Sequence, residues 1–120
     1  MFLHAWTDDD LTDEPAYGVR AVRLPPLEGV RQPYEGGAWV VVAAGSTMHR
    51  HVNPDGESEV FFVTEGAGTV EVAGRTRRVT AGATIPIPPE TPHTLTADPD
   101  GRVVFLSMWW DARPAADQEA

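Results

Sequence analysis

The sequence predicts an all-β domain of the sandwich or barrel class. Three observations predict it. Short apolar or alternating runs recur along the chain, clusters of Gly, Pro, Asp and Asn separate them, and no stretch carries the long amphipathic period of a helix. A length of 120 residues suits one domain. At that size roughly two-thirds of the unfolded surface is buried, enough for a core without covalent staples.

Residues 1–16 are acidic and end near Pro15; Asp8, Asp9 and Asp10 suit a short helix cap or a loop. Residues 17–24 (YGVRAVRL) alternate as an edge strand does, and Pro25 and Pro26 end the run. Residues 25–37 carry three prolines and three glycines and read as a loop. The apolar run at 38–44 (AWVVVAA) reads as a strand covered on both faces. Asn53, Pro54, Asp55 and Gly56 mark a turn before a strand over 59–64 (EVFFVT). A hairpin around Ala73 and Gly74 follows, then strands at ATIPIP, HTLTA and RVVFLSMWW. The prolines of ATIPIP confine it to a position lacking ladder partners. This divides the chain into an N-terminal segment (1–35), a barrel (36–110) and a frayed polar tail (111–120).

Net charge is −9 and all nine basic residues are arginine, clustered only at RTRR, residues 75–78. Nucleic acid is excluded as a partner, because phosphate binding needs aligned cations; RTRR reads as a solvated strand edge. Cysteine is absent, which removes disulfides, thiolate metal sites and thiol nucleophiles. No run approaches the roughly 20 apolar residues that span a bilayer, and the start lacks a signal-peptide pattern. A cytoplasmic protein with no membrane partner is expected.

The chemistry concentrates in residues 45–66, GSTMHRHVNPDGESEVFFVTEG, and in His93 of PPETPHTL. On a strand, His49 and His51 project from one face, with Arg50 on the other. The turn at 53–58 reverses the chain and returns the Glu59 carboxylate toward them. Three imidazoles and one carboxylate suit one divalent first-row ion and leave positions open for catalysis. A single H-x-H pair is weak evidence alone, and Glu57 and Glu59 equally read as surface carboxylates. His4 is left as a structural or surface histidine.

These residues resemble the cupin superfamily, whose first motif is G-x5-H-x-H-x3,4-E-x6-G. His49 and His51 match its histidines, and Glu59 with Gly66 matches E-x6-G, which selects Glu59 over Glu57. The gap from His51 to Glu59 is seven residues, so the turn is enlarged, and Gly45 stands only three residues before His49. The second motif, G-x5-P-x-G-x2-H-x3-N, is met by Gly82, Pro88 and His93, with Glu90 and Ala97 in place of its glycine and asparagine. The resemblance covers about residues 36–110. It implies a double-stranded β-helix, the jelly-roll barrel, often dimeric, holding one metal ion on His49, His51, Glu59 and His93.

Imidazole and carboxylate suit Fe, Mn, Ni, Zn and Cu alike. Phe61, Val63 and Leu95 share parity with the ligands and are expected to wall a pocket, together with Trp39 and Trp109. No general base is evident on those faces. Cupins include oxygenases, isomerases, decarboxylases, cyclases, sugar-binding modules and sensors, so the fold selects no reaction. The first expectation is a small metalloenzyme, an oxygenase or metal Lewis-acid catalyst, acting on a small molecule. A non-catalytic small-ligand-binding or sensing module is the second, and a structural metal in a small dimer the third. On the strand of Glu59, Val60 and Phe62 face the other way and need cover, either from the N-terminal segment or from a second subunit in a homodimer.

Overall fold

A computed structural model describes residues 5–111 and 113. Among them, nine strands run in chain order: β1 (Thr12–Glu14), β2 (Val19–Arg23), β3 (Gly36–Val42), β4 (Glu57–Glu65), β5 (Ala67–Val72), β6 (Arg75–Thr80), β7 (Thr84–Ile87), β8 (His93–Ala97) and β9 (Val103–Asp111). They form a six-stranded sheet, β1-β2-β3-β9-β4-β7, and a three-stranded sheet, β6-β5-β8. Every pairing is antiparallel. This is the sandwich that the alternating runs and turns predict, in the jelly-roll form that the cupin resemblance implies.

Strand positions follow the sequence logic closely. The hairpin of β5 and β6 turns at Ala73 and Gly74. β7 sits at the edge of its sheet, where Pro86 lacks a ladder partner on the free side. β6, which carries RTRR, is likewise an edge, and Arg78 binds Asp98 with two 2.7 Å bonds on the surface. Asp8–Asp10 form one 3-10 turn, closed by the Thr7 N–H donating to Asp10 Oδ2 at 2.7 Å. β1 was not legible, because a three-residue polar strand has no periodicity to read. Of the C-terminal tail, Asp111 closes β9 and Arg113 donates to it. His4 and the rest of the tail lie outside the described residues.

The core lies between the sheets. Phe61 on β4 stacks on Phe105 of β9 with ring centroids 4.2 Å apart, and both are fully buried. Such a pair adds about 0.5–1.5 kcal/mol beyond its area burial. Leu95 and His93 close the core from the smaller sheet.

The outer face of the larger sheet is covered in part. Trp6 and Leu11 pack over Val41, Val104 and Trp39. They do not reach Phe62, which stays 37% exposed. Val60 and Phe62 lie opposite Met108 and Leu106 of β9, so the uncovered face is an apolar patch spanning two strands.

Glu90, at the position where the cupin motif has glycine, adopts φ +59°. A residue with a Cβ is strained there by roughly 1–2 kcal/mol, and glycine returns part of that gain as unfolded-state entropy. Glu90→Gly is expected to stabilise the fold by up to about 1 kcal/mol. The check is a higher urea midpoint at unchanged slope.

Candidate metal centre

His51 and His93 meet through their backbones. Each N–H donates to the other's carbonyl, at 3.2 Å and 3.0 Å. That reciprocal pair sets the two rings side by side, with centroids 4.3 Å apart. Upstream, the Met48 N–H donates to Leu95 O at 2.9 Å. From Met48 to His51 is three steps, whereas from Leu95 to His93 is two, so one extra residue bulges from the segment.

The bulge corrects the expectation that His49 and His51 share a face. Alternation breaks between them, and Met48 points inward, buried, while His49 is exposed. The His49 ring lies against the β1–β2 turn. Its Nδ1 donates to Ala16 O at 3.2 Å. Gly18 permits this closeness, since a Cβ there would stand 2.8 Å from His49 Cδ2 and Nε2. Among the described residues no three His, Cys, Asp or Glu side chains form a converged metal-holding group. His51 lies against His93 and His93 against Glu59, while the His49 ring is seated on the β1–β2 turn.

Glu59 enters from β4, between Trp109 of β9 and Ile87 of β7. Its Oε1 accepts from Asn53 Nδ2 at 2.9 Å, and its Oε2 accepts a short bond from the buried Ser107 hydroxyl. Burial pushes this carboxyl up. The adjacent His93 ring and the Ser107 and Asn53 donors outweigh burial and hold it below its ordinary value. Neither donor was legible as part of the site. Asn53 reads as a turn residue, yet the enlarged NPDG turn is what places its amide on Glu59. Ser107 shows only as one polar residue in an apolar strand, which is a usable signal.

The ring tautomers follow from carbonyl partners, which can only accept. His51 Nδ1 donates to His49 O at 2.8 Å, and His93 Nδ1 donates to Thr91 O at 2.9 Å. In the neutral form of each ring, Nε2 is then the nitrogen left without a proton. His93 Nε2 is buried without a hydrogen-bond partner and lies 3.5 Å from Glu59 Oε1. Two lone-pair acceptors facing each other in a dry place call for a cation between them, a proton or a metal ion. Two imidazoles and one carboxylate are donors that suit a divalent first-row metal.

A cavity of about 510 Å³ opens beside this group, bounded by His51 and Glu59 among others. That is within the small-molecule range of about 300–1,000 Å³. Phe61 and Trp109 line it. Val63 and Leu95 do not: they are sealed in the core beneath. Trp39 is also corrected. Its neighbours Ala38 and Val40 face the cavity, so alternation turns Trp39 to the outer side against Trp6. Tyr17, whose ring lies 4.8 Å from that of His51, is a cavity residue the sequence reading missed. It sits in the β1–β2 turn, far in sequence from either motif. Glu57 stands at the mouth, where burial and then Glu59, Glu35 and Asp111 push its carboxyl up.

The family model for the cupin domain matches residues 28–109, and the chain belongs to the cupin family. Among solved structures it is similar to the plu4264 protein of Photorhabdus luminescens, at 27% identity over 92% of this chain and 88% of that one, with a TM-score of 0.80. A Cupin 2 conserved barrel domain protein of Salinispora arenicola is 28% identical over 93% of this chain and 90% of that one, with a TM-score of 0.77. KdgF from Halomonas sp. shares the fold at 22% identity, covering 97% of this chain and 99% of that one, with a TM-score of 0.64. No match was found among curated proteins.

The Ser107 bond favours ionised Glu59. Losing one donor to a buried charged group destabilises by about 1–3 kcal/mol. Because the folded pKa of Glu59 is lowered, this contribution is present above the unfolded pKa and lost as pH falls through the folded one. Ser107→Ala should therefore be destabilised by about 1–3 kcal/mol at about pH 7, and the difference should shrink as pH falls through the folded pKa of Glu59, measured by urea unfolding over a series of acidic pH values.

Proposed function

We propose that this cupin holds one divalent metal ion, drawn from Fe, Mn, Ni, Zn and Cu, and is a small metalloenzyme acting on a small molecule. The observation that carries the reading is the buried, unpartnered His93 Nε2 facing Glu59 Oε1 at 3.5 Å. His51, Glu59 and His93 would hold the ion. His49, set outward by the bulge, is the fourth member of the set and must leave Ala16 O to join it. When bound, such an ion polarises a ligand oxygen and stabilises developing negative charge. The chain's own part is orientation. Thr91 O and His49 O fix the two tautomers, Asn53 and Ser107 fix the carboxylate, and Phe61 and Phe105 form a dry wall beside them.

Metal analysis of protein purified without added metal tests this, with about one ion per chain expected. His93→Ala and Glu59→Ala should lose the ion; unchanged metal content in either variant would sink the reading. His49→Ala should only weaken retention, because its ring starts outside the group. Bound metal should also be released below about pH 6, where imidazoles protonate.

We infer in addition that the Val60 and Phe62 face is where a second copy docks. An uncovered aromatic beside Leu106 and Met108 supports it, since burying each such side chain contributes about 1.5–3 kcal/mol. Sedimentation equilibrium should find a wild-type dimer and a monomeric but folded Phe62→Glu variant. A wild-type chain that stays monomeric at every concentration would refute the dimer.

A further inference from the structure

The cavity has a second polar end, and no motif points to it. Arg23 on β2 lies opposite Ala38, Ala38 opposite Ser107, and Ser107 opposite Phe61, so these four form one row across the sheet. Neighbouring strands are about 4.8 Å apart, which puts the Arg23 backbone roughly 10 Å along that row from Ser107 and the Glu59 carboxylate it holds. Between the two ends the lining is apolar, with Ala21, Val40, Phe61 and Phe105.

Trp109 braces the Arg23 end. The guanidinium carbon of Arg23 lies 5.4 Å from the centroid of the indole. The indole in turn lies across Gly36 of β3. A Cβ on Gly36 would stand 2.6 Å from its Cε2 and Cζ2 and 2.7 Å from Nε1. Glycine at 36 is thus what lets Trp109 spread toward β2 and meet the guanidinium. One of the five N–H donors of Arg23 goes to Glu14 Oε1 at 3.1 Å. That exposed pair is worth little, and the planar fork retains donors suited to a carboxylate.

Charge decides the ligand's sign. Three glutamates line the cavity, Glu14, Glu57 and Glu59, against Arg23 alone among arginines of the described residues. A bound dication together with Arg23 answers those three negative charges. An amine then gains nothing net, while an anion still finds the open edge of the guanidinium. The net charge of −9 opposes anion capture at long range, so the preference has to be local to Arg23.

We propose that Arg23, braced on Trp109 over Gly36, is the anion-reading end of this cavity, and that the ligand is a small organic carboxylate with a compact apolar body. The ligand's orientation, with its other end toward His51 and Glu59, and the charge balance that spares an anion both rest on the metal reading above; the braced guanidinium fork does not.

The test is calorimetric titration of phenylacetate, phenylacetamide and phenethylamine, three probes of one shape and different charge. Each is titrated into wild type, Arg23→Gln and Arg23→Lys, metal-loaded and metal-stripped, with metal content measured on the same samples. Wild type should bind the acid tightest and the amine weakest. Arg23→Gln should weaken phenylacetate about tenfold or more while leaving phenylacetamide within about twofold. Arg23→Lys should keep the order of preference with a smaller margin, because it retains the charge and loses the fork. An unchanged phenylacetate affinity in Arg23→Gln, a preference for the amine, or no binding of the acid would each overturn the proposal. Acid preference persisting in wild type that holds no metal would reject the metal reading and leave this one standing. Metal present without acid preference would do the reverse.

Discussion

His93 Nε2 and Glu59 Oε1 stand 3.5 Å apart, and the imidazole atom has no hydrogen-bond partner. Thr91 O keeps a proton on Nδ1, so in the neutral ring the two facing atoms are both acceptors. Much of the larger sheet near them is arranged to sustain that confrontation. Ser107 and Asn53 spend their donors on the carboxylate, Phe61 packs edge-on to His93 at 5.9 Å, and the backbone of His51 is bolted to that of His93. A buried polar arrangement that is fully held except for one cation is an expensive thing to keep for stability alone.

β9 is the strand through which the parts of the protein communicate. Its inner residues Ser107 and Trp109 serve the carboxylate and the Arg23 end of the cavity, respectively. Its outer residues Leu106 and Met108 form half of the uncovered apolar patch. The two faces alternate residue by residue, so the cavity and the patch share one backbone. A partner seated on the outer face would therefore stiffen the strand that carries the site.

Much of this was legible from residue order. The turns and alternation define eight of the nine strands as separate runs or a hairpin, and the spacing of Glu59, Gly66, Gly82, Pro88 and His93 leads to the cupin fold. Trp109 lines the cavity on the regular strand β9. Parity failed at Trp39, where an apolar run covered on both faces gives no clue to its inner side. It failed again at His49, because a bulge leaves no mark in a sequence beyond one extra residue. Tyr17, Arg23 and Gly36 were out of reach for another reason. Their roles exist only across strands that are distant in sequence.

The bulge between Met48 and His51 has one more consequence. Upstream of it Met48 faces the core, and downstream His51 faces the site, with two outward residues between them. Slid toward the N-terminus, past His49, the same extra residue would bring His49 inward and put Met48 outside. The two registers would differ in what each buries. One keeps a thioether in the core, worth about 1.5–3 kcal/mol, and the other gains a third imidazole. An ion that prefers three imidazoles by more than that margin would select the second register by population shift. Core packing and ligand number would then be exclusive choices, set by the position of one spare residue.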